Sequence, residues 1–445
     1  MGARCPVAAH RAEGARESDA SGQREVGAVT KSAVRRGTVR EGAPMRGAVR
    51  DAAPDARARV LPVVPVRARG LTIEGADGRR YLDCVCGAGA LALGHNHPVV
   101  LRAIREVLDA GAPLQVMDLT TPVEDAFVAE LTRTLPPGLA GRARVRFCEP
   151  AGKDPVATAL AIAAAPAGAA TDRTGLLTST DTGHGSVPST EDRAPGAARP
   201  AGTVLEPVRG EDGVLPAPDA WMREMRRATA ERSVPLIVDE TETGVGRTGA
   251  FWAVEHSGIA PDVMVLSGAI GGGLPLAAVV YRDDLEPGGA HAFRGNQLAL
   301  AAGAATLAHV REHRLADHAA ALGGRTLVRL RSLAEEFSCV VDVRGRGLMI
   351  GVELTAPDGR ADTRRRGVRS ATAVAVQREC LRRGLIVDRV GPSGNVVRLL
   401  PPLTVTEEQM SAVLERLAEA LQAVERSPDG HGPPGAVRAA SDVRA

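Results

Sequence analysis

The stretch that decides the fold begins at Leu236-Ile237-Val238 and runs into Asp239-Glu240-Thr241-Glu242-Thr243-Gly244-Val245-Gly246-Arg247-Thr248-Gly249. A short apolar run that ends on a carboxylate and a glycine-rich turn reads as a buried strand delivering an acid to the sheet edge. Similar runs flank it. Leu176-Leu177, Thr203 to Leu205, Val263 to Leu266 and Ala277 to Tyr281 are further buried strands, and Val145 to Cys148 is a short one. Helical spacing covers Val99 to Leu108, Val123 to Leu135, Val156 to Ala165, Trp221 to Ala230 and Gln297 to Val310. Strands alternating with helices predict an α/β protein whose largely parallel sheet is covered on both faces.

Outward from this centre, Arg69 to Tyr81 reads as a hairpin turning at Asp77-Gly78. The part after about residue 325 reads as α+β. A helix over Leu327 to Phe337 precedes strands at Val340 to Arg344 and Leu348 to Leu354. A helix over Ala371 to Arg383 precedes strands at Leu385 to Asp388 and Val396 to Leu399. The last helix, Glu407 to Val424, opens with a capping box at Thr406 and Gln409. Residues 1–57 lack an apolar period and are expected to be a disordered extension, as is the Pro- and Gly-rich tail 427–445.

Composition narrows the function. The 445 residues carry 55 Lys+Arg against 53 Asp+Glu, a balance unsuited to coating nucleic acid. No apolar run approaches the roughly 20 residues needed to span a bilayer. Six cysteines without CxxC spacing predict neither a disulfide scaffold nor a zinc site, and a reducing, cytoplasmic setting is expected. Aromatic residues are only 2 %, so the core must be built from Ala, Val and Leu. Lysine occurs twice, at Lys31 and Lys153, which leaves little for amine chemistry.

Six strings stand in one order: Leu93-Gly94-His95-Asn96-His97-Pro98; Glu206-Pro207-Val208-Arg209-Gly210-Glu211-Asp212-Gly213; the 239–249 string; Ala269-Ile270-Gly271-Gly272-Gly273-Leu274-Pro275-Leu276; Phe293-Arg294-Gly295-Asn296-Gln297; and Val397-Arg398-Leu399-Leu400-Pro401-Pro402-Leu403. Over roughly residues 60 to 425 the chain resembles the class III aminotransferases that depend on pyridoxal phosphate. It looks most like their diaminobutyrate–2-oxoglutarate branch, which serves biosynthetic pathways of secondary metabolism.

The resemblance implies a type I fold of pyridoxal-phosphate-dependent transferases, with a mostly parallel large domain and a smaller α+β domain. On that reading 58–95 is the N-terminal segment of the small domain, 96–324 the large domain, shortened near 186–202, and 325–426 the C-terminal small domain. It also implies a homodimer, or a heteromer with an active paralogue, and no nucleic-acid or membrane partner.

By the same resemblance Asp239 faces the cofactor's pyridine nitrogen and Glu242 stands at the contact to its ring oxygen, where the family has glutamine. Gly152 and Lys153 belong to the phosphate loop. Arg398 takes a substrate carboxylate, and Glu206 fits the acid that can pair with it.

Other parts of the family's chemistry are missing. The lysine that binds the cofactor's aldehyde stands directly before Ala-Ile-Gly-Gly-Gly, and here that position is Gly268. Glycine can neither bond to an aldehyde nor move a proton. The threonine before Phe-x-Gly-Asn is Ala292, the stacking aromatic before His184-Gly185 is Gly183, and substrate-loop polar residues are Ala90 and Ala92. The phosphate loop, Glu149 to Pro155, has lost its hydroxyl and gained a carboxylate at Glu149. Between Gly185 and Thr203 the chain carries far fewer residues than the several tens that the family pattern has there. No catalytic residue and no metal site are expected, covalent cofactor attachment is not expected, and noncovalent binding is doubtful.

Overall fold

Three strands open the chain's described part: β1 (Pro65–Arg69), β2 (Thr72–Gly75) and β3 (Arg80–Asp83). The computed structural model describes residues 61–149, 154–164, 176–178, 202–285, 293–356 and 370–426. Both tails, Gly152, Lys153, Gly183, His184 and Ala292 lie outside the described residues, and so do residues 186–201 of the shortened stretch. The hairpin expected over Arg69 to Tyr81 is the antiparallel β2–β3 pair, with β1 added on the outer side of β2.

Next come α1 (Pro98–Asp109), β4 (Gln115–Met117), α2 (Pro122–Thr134), β5 (Ala143–Cys148), α3 (Pro155–Ala164), β6 (Leu176–Thr178), β7 (Gly202–Leu205), β8 (Val208–Arg209) and β9 (Leu215–Pro216). They are followed by α4 (Asp219–Glu231), β10 (Leu236–Asp239), β11 (Val263–Leu266), β12 (Ala277–Arg282), β13 (Phe293–Asn296) and α5 (Gln297–Glu312). Proline at the first position of α1 and α2 starts both helices, where its missing N–H costs no bond. Thr121 caps α2 by accepting from the Glu124 N–H at 3.1 Å.

The central sheet has the order β5-β12-β11-β10-β7-β6. β10 runs parallel to β11 and β7, and β7 parallel to β6. β12 is antiparallel to both of its neighbours, β11 and β5. The alternation of side chains divides the core. Leu236, Val238, Met264, Leu266, Ala278 and Val280 join the large cluster on one face, which includes Phe127, Trp252 and Leu300. Ile237, Val263, Val265 and Val279 join Ala159, Ile162 and Ala163 of α3 on the other. Both faces are therefore covered, as the strand–helix alternation predicts.

The C-terminal part adds α6 (Leu315–Glu336), β14 (Val340–Arg346), β15 (Met349–Leu354), α7 (Ala371–Arg382), β16 (Leu385–Ile386), β17 (Asp388–Val390), β18 (Val396–Leu399) and α8 (Glu407–Glu425). β14-β15-β18-β17 form an antiparallel sheet, and β16 pairs in parallel with β3. The single strand expected at Leu385 to Asp388 is thus two short strands serving two sheets. The capping box of α8 is present: Thr406 Oγ1 accepts from the Gln409 N–H at 3.2 Å, and Gln409 accepts from the Thr406 N–H at 3.0 Å. Among the described residues no helix is long and apolar enough to cross a membrane.

Candidate active site

Parallel strands bring their carboxyl ends to one edge of a sheet, and that edge is where ligands sit in open α/β folds. Val238 is paired with Leu205, so the next residues, Asp239 and Glu206, emerge as neighbours from β10 and β7. Asp239 is paired with Val265, so Ser267 and Gly268 follow two and three residues later, just past the end of β11. The strand runs thus place Asp239, Glu206 and Gly268 at the same edge.

Asp239 Oδ1 accepts the Thr241 N–H at 2.9 Å, which fixes the turn after β10. Burial pushes its carboxyl up from the ordinary range, while the hydrogen bonds from Thr241 pull the other way. Glu206 is pushed up to about 7, first by burial and then by the nearby carboxylates of Asp239, Asp212 and Glu242, with only Arg209 opposing. Two acids side by side at a water-poor sheet edge cannot both ionise cheaply.

Gly268 has φ of +60°, in the left-handed region. A Cβ there would stand 3.4 Å from the Thr241 carbonyl oxygen and 3.8 Å from Ala90. The position faces the turn after Asp239 and the segment at Ala90, and it carries no side chain. The glycines that follow serve the backbone: Gly272 has φ of +60°, and a Cβ on it would sit 2.7 Å from the Ala302 carbonyl oxygen of α5. Asn296 of the Phe-Arg-Gly-Asn string caps α5, accepting from the Leu298 and Ala299 N–H groups at 3.1 Å each.

A cavity of about 430 Å³ opens beside Gly268, lined among others by Ala90, Cys148, Glu149, Asp154 and Ser267. It adjoins the start of α3, and a helix N-terminus is a place where backbone N–H groups can receive an anion. That terminus is already engaged, because Asp154 Oδ1 accepts the Val156 N–H at 3.1 Å. Two carboxylates, Glu149 and Asp154, therefore stand on the wall where an anion would have to approach.

Arg398 lies on β18 and is 1 % exposed. Its ion pairs are with Glu242 (3.0 Å), Glu211 (2.9 Å) and Asp388 (2.7 Å). Glu206, expected to pair with it, is not among these ion partners; the pairing acid from the same string is Glu211, five residues later. Glu242 accepts from the Arg398 guanidinium, whose Nη1 lies 3.2 and 3.0 Å from its two oxygens. Asp388 escaped the sequence reading because it meets Arg398 only through the β17–β18 register, Asp388 opposite Arg398.

Part of the 239–249 string is structural. Glu240 is 2 % exposed and its carboxyl is pushed to about 7 by burial, yet it accepts from the Thr243 hydroxyl and, at 2.8 Å, from the Val254 N–H. Arg247 is buried and donates to the carbonyls of Leu348 and Pro401, tying the turn to the C-terminal sheet. Among the described residues there is no cluster of three His, Cys, Asp or Glu able to hold a metal ion.

The family described as aminotransferase class-III matches residues 53–190 and 196–421. Among curated relatives, the diaminobutyrate–2-oxoglutarate aminotransferase of Rhizobium meliloti (strain 1021) is 41 % identical, covering 83 % of this chain and 90 % of that protein. The enzyme of the same name from Haemophilus influenzae is 33 % identical over 82 % of this chain and 91 % of its own length. Among solved structures, the (S)-enantioselective omega-transaminase of Thermomicrobium roseum superimposes with a TM-score of 0.69 at 25 % identity, covering 82 % of this chain and 93 % of that one. The ornithine aminotransferase of Toxoplasma gondii ME49 gives a TM-score of 0.70 at 24 % identity, covering 84 % and 94 %, and shows the shared fold. The chain has the type I fold of pyridoxal-phosphate-dependent transferases and belongs to the class III aminotransferase family.

Proposed function

We propose that this chain is a diaminobutyrate-aminotransferase-like member of its family that does not transaminate by the lysine route. It acts as a pseudoenzyme or partner, or in a lysine-independent role, within a biosynthetic pathway. The observation that carries this reading is Gly268: the position facing the turn after Asp239 has no amine. General acid–base catalysis alone contributes typically ~10²–10⁴-fold, and the missing lysine also removes the covalent anchor for the cofactor.

The residues present do not fit pyridoxal phosphate as a set. Asp239 suits a protonated pyridine nitrogen. At the other end, Glu149 and the Asp154-capped α3 N-terminus oppose a phosphate, and Gly268 leaves the aldehyde without a bond partner. Cofactor binding is accordingly noncovalent and weak, through Asp239 with Gly152 and Lys153 as the phosphate-loop remnant. Homodimers, or heteromers with an active paralogue, are the assemblies in keeping with the family.

A second reading is an active aminotransferase exchanging an amino group between glutamate or 2-oxoglutarate and a diaminobutyrate-type substrate. It is favoured by the 41 % identity to an enzyme of that name. The two readings separate in one titration: purified protein with pyridoxal phosphate, followed by visible absorbance, beside Gly268→Lys. The proposal expects no lysine-bound cofactor band in the unaltered protein. Such a band there, together with amino-group transfer to 2-oxoglutarate, overturns it.

A further inference from the structure

Three of the described histidines meet one another. His95, His256 and His318 each spend a ring nitrogen on a partner: Asp83 at 2.8 Å, the Thr248 carbonyl at 3.1 Å and the Val405 carbonyl at 2.9 Å. The rings of His97, His309 and His313 instead pack together. The centroids of His309 and His313 are 4.0 Å apart, edge to face, and those of His97 and His309 are 4.8 Å apart. Nδ1 of His97 is buried with no hydrogen-bond partner among the described residues. None of the three lines the cavity beside Gly268.

Local structure explains the meeting. His309 lies in the last turn of α5, and His313 is its C-cap, whose N–H donates to the His309 carbonyl at 3.1 Å. Residues four apart on a helix share one face. His97 stands directly before α1, as its N-cap, and α1 packs against α5. His97 and His309 are half-buried and His313 is exposed, so the group opens to solvent at one end. Of the cationic side chains next in sequence, Arg311 is committed to Glu130 and Glu312, and Arg314 to Asp317.

Imidazoles in this arrangement suit a borderline-soft cation. A neutral ring offers a nitrogen lone pair, and two histidines four apart on one helix face can reach the same zinc ion. Burial pushes His97 and His309 down from the ordinary imidazole value, His313 pushes both further, and Glu312 opposes at His309. Those two rings are therefore biased to the neutral form that binds metal. The carbonyl end of α5 adds partial negative charge. The three rings do not close a three-ligand cage, so the ligands are the pair on α5.

We propose that His309 and His313 chelate one divalent first-row transition ion, Zn²⁺ above all, through their ring nitrogens, with His97 packed on His309 as the residue that fixes that ring. Exposed His313 turns its ring to meet the ion, and water fills the remaining coordination positions.

The test is calorimetric titration of the untagged full chain with zinc chloride, after removal of adventitious metal with a chelator. It uses unaltered protein, His309→Ala, His313→Ala and the double variant. Loss of a partner outside the coordination shell already costs about 10–100-fold in metal affinity, so each single variant is expected to hold the ion at least about ten-fold more weakly. The double variant is expected to lose the site. His313 is exposed, and His313→Ala alone carries the test if His309→Ala does not fold. Zinc is also expected to raise the thermal midpoint of unaltered protein more than that of His313→Ala. No saturable zinc binding by the unaltered chain overturns the proposal. Binding of equal strength in unaltered protein and His313→Ala overturns it too, since the ion would then sit on other residues.

Discussion

Replacing Glu206 by glutamine tests whether the sheet edge is as acid-crowded and water-poor as the register requires. Glu206 emerges beside Asp239 because Leu205 pairs with Val238, and its carboxyl is pushed from 4.5 to about 7. A carboxyl whose folded value is raised holds its proton in the native state while the unfolded chain has lost it. Native protein then binds more protons between about pH 4.5 and 7, so stability falls as pH rises through that window and levels off above it. The full shift corresponds to about 3 kcal/mol at 1.36 kcal/mol per pH unit, and the carboxylate's remaining contact with water reduces this to about 2 kcal/mol. Glutamine keeps the shape and removes the charge. In urea denaturation, Glu206→Gln should match the unaltered protein at about pH 4.5 and exceed it by about 2 kcal/mol at about pH 8. A difference that does not change with pH would refute the crowding, and a variant less stable at the higher pH would show that ionised Glu206 is favourably paired.

Two further substitutions probe how the site is held. Gly303 of α5 lies against the turn that carries Gly268: a Cβ there would strike the Ile270 carbonyl oxygen and stand 2.8 Å from Phe127 Cε2. Gly303→Ala should therefore cost roughly 1–3 kcal/mol in urea denaturation, and a neutral result would show that α5 does not press on the turn. Thr406→Ala removes the hydroxyl half of the α8 capping box and should cost about 1 kcal/mol, read as a lower thermal midpoint; an unchanged midpoint would contradict the role of that cap.

Much of the architecture is legible in the chain because its signals are local. The apolar runs at 203–205, 236–238 and 263–266 are strands of the central sheet, and the period of their side chains divides two core clusters. Direction is not local: Ala277 to Tyr281 reads as another buried strand, but only pairing reveals that it runs against its neighbours. The helix read from Leu327 begins at Leu315, because Gly323-Gly324 interrupts the apparent helical signal. The structure supplies the reason for the first glycine, since a Cβ on Gly323 would lie 2.7 Å from Gly347 Cα and closer still to the Gly347 carbonyl. In the site, Asp239 and Gly268 are readable from strand ends and motif order. Glu211 and Asp388 are not, because what makes them partners of Arg398 is a turn after β8 and a strand register, neither written in the spacing of any one motif.

The central claim is the absence of an amine able to bond to the cofactor. It is tested most directly by incubating the unaltered full chain with an equimolar amount of pyridoxal phosphate, reducing with borohydride, and mapping the digest by mass spectrometry. No peptide carrying the reduced cofactor in stoichiometric yield is expected. Stoichiometric modification of a defined residue, Lys153 above all, would contradict it.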